Sequence, residues 1–398
     1  KVNTPKRMND FLISIFIDTN LRSTKLLLIL HTMKMKLGYL CSSTSWGGLE
    51  MNHAKNAKWM MDRNHSVVFF CVKGAPLEKY LNDLNVPVIF IEKQKKYYDF
   101  SKAKALRKLI EKNHISHLII RSTYDMSIAA TVKWKLKNTV KTAYFMEMQL
   151  GVKKTNLLHT LRFKYIDLWS CPLNWLQEQV KNLTNFKNEL TVIPSGLDLS
   201  QFNNNRTKEE CLAELNLPRN TLLFGLIGRF DPQKGQLLLL NALKIAKNQD
   251  FQVVLLGEPT KDEGMAYFDE MQAAIAENKL ENRVHIRPFM KDVSVFFKSI
   301  DWFVMATKAE TFGMVTIESM ASGIPVLGSN AGGTPEILQE PKGGCLFETL
   351  NEQSLAEKLD EISSQTTSIS PEVLKEMATV YDHHKVCSQV ENFLKISI

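Results

Sequence analysis

No apolar run in this 398-residue chain reaches the length needed to span a bilayer: Phe11 to Ile17 and Leu26 to His31 are apolar, but Asp18, Arg22 and Lys25 interrupt them. A transmembrane helix is therefore not expected. No small-x-small cleavage site follows, and Met33-Lys34-Met35-Lys36 reads as a natural start leading into a strand, so residues 1–34 are expected to be a weakly structured leader. Cysteine is scarce and scattered. Cys41, Cys71, Cys171, Cys211, Cys345 and Cys387 form no C-x-x-C pair and lie mostly in apolar runs, which suits reduced core thiols of a cytosolic protein. The sequon Asn182-Leu183-Thr184 carries no weight in that setting. There is no cluster of His, Cys and Asp at metal-ligand spacing, so no metal is expected, and no short repeat, which excludes a solenoid.

What is present points to two domains. A chain of this length exceeds what one core usually supports, and 44% apolar with 23% charged residues is ordinary for a globular protein. The net charge is +8 and the pI about 9.0. Basic density lies at Lys93 to Lys96, Lys102 to Lys112 and Lys133 to Lys141, favouring anionic partners such as phosphates, a membrane surface or nucleic acid. The absence of an aromatic-basic RNA-binding motif argues against the last.

From Lys36 onward, short β-rich runs alternate with stretches of helical period, the pattern of parallel sheets with crossover helices. Strands are expected at Lys36 to Cys41, Val67 to Val72, Val86 to Ile91, His117 to Arg121, Lys141 to Phe145, Leu168 to Cys171 and Leu190 to Ile193. The turn-rich stretch Pro194 to Asn205 then interrupts the pattern as a linker candidate, and alternation resumes with strands at Leu222 to Ile227, Gln252 to Leu256, Val284 to Arg287, Trp302 to Met305, Pro325 to Gly328 and Cys345 to Phe347. The fold class expected is α/β, with two doubly wound Rossmann-like domains whose ligands bind beyond the carboxyl ends of the strands.

Four segments carry chemistry. Gly228-Arg229-Phe230-Asp231-Pro232-Gln233-Lys234-Gly235 sits between a strand and the helix starting near Gln236, where helix N–H groups attract anions. Arg229 as a planar fork and Lys234 as a point charge suit a diphosphate, although a solvated turn would read the same way. Glu310 to Gly323 places two acids, Glu310 and Glu318, with seven residues between them; beside a phosphate they are expected to accept hydrogen bonds from sugar and ribose hydroxyls. Ordinary surface glutamates are the alternative. Gly332-Gly333-Thr334-Pro335-Glu336 reads as a helix start with Thr334 as N-cap and Glu336 in the first turn. Trp46-Gly47-Gly48-Leu49-Glu50 is a glycine loop without G-x-G-x-x-G spacing, so a hydride-transfer cofactor is not supported.

Together these residues resemble the retaining glycosyltransferases of family 4 with the GT-B fold. That family shares a Gly-Gly-x-Glu loop (Gly47 to Glu50), an "IPxGxD" hinge (Ile193 to Asp198), a G-R-x-x-x-x-K-G loop (Gly228 to Gly235) and an E-x7-E pair (Glu310 to Glu318), here in that order. The resemblance implies an acceptor-side domain over 35–197, a nucleotide-sugar domain over 198–377, and a final helix, about 378–398, packing back on the first. It implies that Gly228, Arg229 and Lys234 hold the donor diphosphate, Glu318 the ribose, and Glu310 with Thr311, Phe312, Gly313 and Met314 the transferred sugar. Arg287, Phe289 and Met290 would lie at the base, and Gly47 and Gly48 would approach the phosphate from the first domain. Many members carry a histidine at the end of the strand that here reads Tyr144-Phe145-Met146-Glu147; the nearest histidine to it is His159, on a helix face with Arg162.

The implied activity is transfer of a hexosyl group from a UDP- or GDP-sugar to a glycan or lipid-linked acceptor with retention, in cell-surface polysaccharide or lipopolysaccharide synthesis. Arg229, Lys234 and Glu310, with His159, are the catalytic candidates. No cofactor or metal is implied. The expected location is the cytoplasm, including the inner face of an anionic membrane. A sugar-nucleotide epimerase of the same architecture, or a binding protein without activity, are the competing readings.

Overall fold

A computed structural model of the chain describes residues 34–136, 139–259, 265–364 and 369–395. The expected leader, apart from Lys34, lies outside the described residues. The first sheet contains β1 (Lys36–Cys41), β2 (Ser66–Val72), β3 (Val88–Ile91), β4 (His117–Ile120), β5 (Lys141–Phe145), β6 (Leu168–Cys171) and β7 (Glu189–Val192). Between them run α1 (Gly48–Asp62), α2 (Pro76–Asp83), α3 (Phe100–Lys112), α4 (Met126–Lys135), α5 (Leu157–Lys164) and α6 (Asn174–Leu183). The strand order is β3-β2-β1-β4-β5-β6-β7. Parallel registers set Leu37 opposite both Val67 and His117.

After α7 (Lys208–Glu214), the second sheet is built from β8 (Leu222–Ile227), β9 (Phe251–Leu256), β10 (Val284–Arg287), β11 (Trp302–Met305), β12 (Val326–Ser329) and β13 (Gly344–Phe347). Its helices are α8 (Gln236–Ile245), α9 (Met265–Glu277), α10 (Val293–Ser299), α11 (Met314–Ala321), α12 (Thr334–Leu338) and α13 (Glu352–Ser364). The order is β10-β9-β8-β11-β12-β13, so the direction of winding reverses between β8 and β11.

Alternation of side chains explains why these strands are apolar throughout. Leu223 and Phe303 enter one core cluster, while their neighbours Phe224 and Trp302 enter another. A period of two with both faces covered leaves few positions for polar residues. The cysteines follow the same logic: none of the six forms a disulfide and all but Cys345 are buried. Burial pushes the Cys71 and Cys171 thiols up to about 12.

The described residues group into two compact units. One holds the chain to Ala143 with Tyr165–Leu168 and the residues from Glu391; the other holds Tyr144–Lys164 and Trp169–Val390. Two corrections to the sequence reading follow. The stretch Pro194 to Asn205 is packed rather than loose: Leu197 and Phe202 are buried, and Leu197 exchanges backbone hydrogen bonds with Tyr381 and His383. Near that pairing, where a final helix is expected from about residue 378, the chain instead ends α14 (Pro371–Ala378), makes a 3-10 turn and starts α15 (His383–Lys395). Within the first unit, Glu391 of α15 accepts from Arg63 Nε at 2.7 Å and pairs with His65 Nε2 at 3.0 Å.

Candidate active site

The loops leaving the carboxyl ends of β8 and β11 flank the reversal in strand order, the place where an open α/β sheet leaves a crevice for ligands. In the β8 loop, Asp231 accepts from the Gln233 N–H at 2.8 Å and shapes a short 3-10 turn over Pro232–Lys234. Gly235 then adopts a left-handed φ of +77°. A Cβ there would stand 2.2 Å from the Ala306 carbonyl oxygen at the end of β11, so only glycine lets the β8 loop lie this close to the neighbouring strand. Gln236, fully buried at the start of α8, donates to the Arg229 carbonyl at 2.8 Å and accepts from the Tyr267 hydroxyl at 3.3 Å. These contacts hold the Arg229 backbone while its side chain stays exposed.

The β11 loop is fixed from two sides. Lys308 N–H donates to the Gln233 carbonyl, and Gly333 N–H donates to the Glu310 carbonyl at 2.8 Å. Gly332 packs so tightly on this loop that a Cβ would lie 2.0 Å from the same carbonyl, and its φ of +61° is left-handed. Phe312 is buried against Tyr381, with ring centroids 5.8 Å apart, which anchors the loop through its side chain and leaves the backbone of Thr311, Phe312 and Gly313 before α11. Glu318 is half-buried one turn into α11.

The outcome is that two residues 76 positions apart meet: Lys234 Nζ lies 3.5 Å from Glu310 Oε2, both side chains partly exposed. Lys234, Glu310 and the first turn of α11 thus belong to one neighbourhood at the switch point, and Arg229 lies in the same β8 loop as Lys234. At the edge of the sheet, β10 ends at Arg287, whose guanidinium donates to the carbonyls of Leu215, Ile286 and Asn216. That side chain ties α7 to the sheet. Phe289, two residues on, is 62% exposed, a large aromatic ring that the core does not use.

Other expectations fall differently. Thr334 is not the N-cap of α12: Gly333 holds that position, while Thr334 is buried and its methyl group packs over Gly328. Glu336 reaches across to α6, where its carboxylate accepts from the Asn174 N–H at 2.8 Å and the Trp175 N–H at 3.1 Å. His159 Nδ1 lies 3.3 Å from Arg162 Nη1, and its ring stacks on Phe163 of the same helix. Glu147, standing where many of the resembling enzymes have histidine, accepts from the Ser195 hydroxyl at 2.8 Å in the hinge motif.

In the first unit, Gly47 and Gly48 open α1. A Cβ at Gly48 would meet nothing within 4 Å, so packing does not impose glycine there. Glu50, of the same motif, is buried. The sequence reading missed the supporting residues Gln236, Ser42, Gln94 and Asp125. None of the four belongs to a motif or stands at a position that residue type alone marks out.

Residues 207–379 match the family model described as glycosyl transferases group 1. Among curated relatives, an uncharacterized glycosyltransferase of Methanocaldococcus jannaschii is 28% identical over 57% of this chain and 54% of its own length. A lipopolysaccharide core biosynthesis mannosyltransferase of Rhizobium leguminosarum is 27% identical over 42% of this chain and 47% of its own. The chain thus aligns with only about half the length of the curated relatives it matches. Among solved structures, Anabaena HepE in complex with UDP has a TM-score of 0.80 at 21% identity, covering 90% of this chain and 99% of that one. A glycosyltransferase of Rickettsia africae also reaches 0.80, at 20% identity over 92% and 98%. The chain accordingly has the GT-B fold, and over residues 207–379 it is similar to the glycosyl transferases group 1 family.

Proposed function

We propose that the chain transfers a hexosyl group from a UDP- or GDP-sugar to a glycan or lipid-linked acceptor, with retention of configuration and without a metal. The observation that carries this reading is the meeting of Lys234 and Glu310 at the β8/β11 switch point, with Arg229 exposed in the same β8 loop. A lone diphosphate would be repelled by two acids. A diphosphate bearing a sugar satisfies all four groups, Arg229 and Lys234 on the phosphates and Glu310 and Glu318 on hydroxyls. The UDP complex of Anabaena HepE, a neighbour in fold, and the mannosyltransferase among the sequence relatives support the same class of donor and product.

In this reaction the bond from the anomeric carbon to the β-phosphate oxygen breaks, and the acceptor oxygen bonds to that carbon on the same face. The acceptor proton passes to a phosphate oxygen. Arg229 and Lys234 stabilise the negative charge that gathers on the departing diphosphate, and preorganised groups of this kind each contribute about 2–4 kcal/mol to the transition state. Glu318 holds the ribose, Glu310 and the backbone of 311–313 hold the sugar, and Phe289 with Met290 face the base. Gly47 and Gly48 are assigned to the phosphate on the same reading, supported by the open space before Gly48. His159 is bound to Arg162 and Phe163 of its own helix and has no step in this scheme.

Isothermal titration with UDP and GDP tests the class: nucleotide affinity that Arg229→Ala abolishes supports it, and equal heats from both proteins refute it. A donor screen with mass detection of the released nucleotide then fixes base and sugar. A lipid-linked acceptor on an anionic membrane is consistent with Tyr97, Phe100 and Trp134, all more than 40% exposed and interspersed with lysines. Among the described residues no helix is long and apolar enough to cross a membrane. Failure to bind acidic liposomes at low salt removes this part of the proposal.

A further inference from the structure

The first sheet also reverses its winding, between β1 and β4, and the crevice there is built differently. At the end of β1, Ser42 is buried; at the start of α4, Asp125 is fully buried; and Gln94, after β3, is buried between them. Asp125 occupies the N-cap position of α4, yet its side chain makes no cap. It turns instead toward the β1 loop. Its carboxylate accepts from the Ser42 hydroxyl in a short contact, from the Ser42 N–H at 3.3 Å and from Gln94 Nε2 at 2.6 Å. Gln94 Nε2 also reaches the Ser42 hydroxyl at 3.0 Å, while the Tyr124 hydroxyl fixes the Gln94 backbone carbonyl at 2.6 Å. Gln94 Oε1 is buried with no partner. A buried acceptor without a partner costs free energy, so this polar cluster is not at its most stable with every donor on the carboxylate.

We propose that Asp125 is a positioning residue for the Ser42 to Gly47 loop, acting through a two-state hydrogen-bond relay with Ser42 and Gln94. In the ionised state three donors converge on the carboxylate, as seen. On taking a proton from solvent, the Asp125 O–H donates to the Ser42 hydroxyl oxygen, so the Ser42 O–H can no longer donate to the carboxyl and must turn away. The three donors then no longer converge on Asp125, which loosens the anchor of the loop leading to Gly47 and Gly48. Burial drives the Asp125 carboxyl up, the Ser42 and Gln94 donors pull it back, and Glu50 on α1 pushes it up again, leaving it about 7. Cys41 on β1 faces it too, and Arg121 and His53 complete the buried polar set, Arg121 acting on the His53 ring.

The loop carries its own reporter: Trp46 is 44% exposed and stands edge-on to Tyr80, with ring centroids 5.1 Å apart. Fluorescence of the full chain, with Trp46→Phe subtracted for the other tryptophans, is expected to titrate with a midpoint near 7. Asp125→Asn should lose this transition. Ser42→Ala, which removes a donor to the charged form, should move the midpoint upward. A signal flat over about pH 5.5 to 8.5 in the wild-type chain, or one that titrates unchanged in folded Asp125→Asn, overturns the proposal. Its consequence for transfer rests on the functional reading above: kcat/KM should show a limb near pH 7 that Asp125→Asn lacks. Nucleotide titration tests that reading separately, and the Trp46 titration remains decisive whichever way it falls.

Discussion

The two switch points of this chain have the same topology and opposite chemistry. At β8/β11 the ionisable groups are partly exposed, while the loops that carry them are shaped by Gly235 and Gly332 and by buried neutral groups such as Gln236. At β1/β4 the acid is fully buried and is itself the shaping element, holding Ser42 and Gln94. Charge that must meet a ligand stays accessible on a neutral scaffold, whereas charge inside a scaffold must be answered by hydrogen bonds. Strand order alone does not distinguish the two cases.

The comparison breaks most readily at the cations. Lys234→Ala should lower kcat by a factor matching about 2–4 kcal/mol, with little loss of stability because the side chain is partly exposed. If steady-state kinetics show a large loss that tracks a lower melting temperature, the side chain is structural and the contrast fails. Gly235→Ala tests the scaffold beside it. The left-handed backbone alone costs about 1–3 kcal/mol with a side chain, and the Ala306 carbonyl at 2.2 Å must also move. Chemical denaturation should show a clear fall in midpoint; an unchanged midpoint would mean that the loop shifts freely.

Much of this was legible because both halves obey simple periodicities. Strands buried on both faces stand out as short β-branched and aromatic runs, so all thirteen expected strands are present, and Gly323 follows α11 with the left-handed φ of +78° expected of a C-terminal cap. The motif residues Arg229, Lys234 and Glu310 were legible from residue type and from their place after a strand. Partnerships set by the packed chain were not. Glu336 looks like a residue serving its own helix, but its carboxylate reaches donors that are distant in sequence, and Asp125, unmarked in the sequence, does the same. Arg287, placed at the base by the resemblance, also spends its five-donor fork on three backbone carbonyls, contacts that residue type alone does not announce.

A buried acid answered by cations, rather than by neutral donors, occurs at Glu391. Burial raises this carboxyl, but the bonds from Arg63 and His65 outweigh it and hold it below the usual carboxylate range. Its contribution to stability is therefore fully present above the pKa of an unfolded glutamate and is lost as pH falls through the depressed value. Glu391→Gln should cost about 1–3 kcal/mol at neutral pH, the range for leaving a charged group poorly partnered, and should flatten the acid limb of a stability–pH curve. Asp125 should act with the opposite sign. Its raised pKa gives stability that is present below the pKa of an unfolded aspartate and is lost as pH rises toward 7. Asp125→Asn should remove that decline, so the two variants together separate the two kinds of buried acid.

The smallest expected effect concerns Glu336. Its carboxylate meets two N–H groups in the first turn of α6, a helix whose own N-cap, Leu173, has no side chain to offer. A negative charge at that position contributes about 0.3–1 kcal/mol. Glu336→Gln keeps one acceptor oxygen and loses the charge, so the melting temperature should fall slightly and the difference should shrink in high salt. Because α12 follows the loop that packs on Glu310, the same variant should leave nucleotide affinity within twofold if the Glu310 loop is fixed by Gly332 and Gly333 alone. A larger change in affinity at constant stability would mean that the exposed site at β8/β11 depends on a distant carboxylate for its shape, as the first sheet's crevice depends on Asp125.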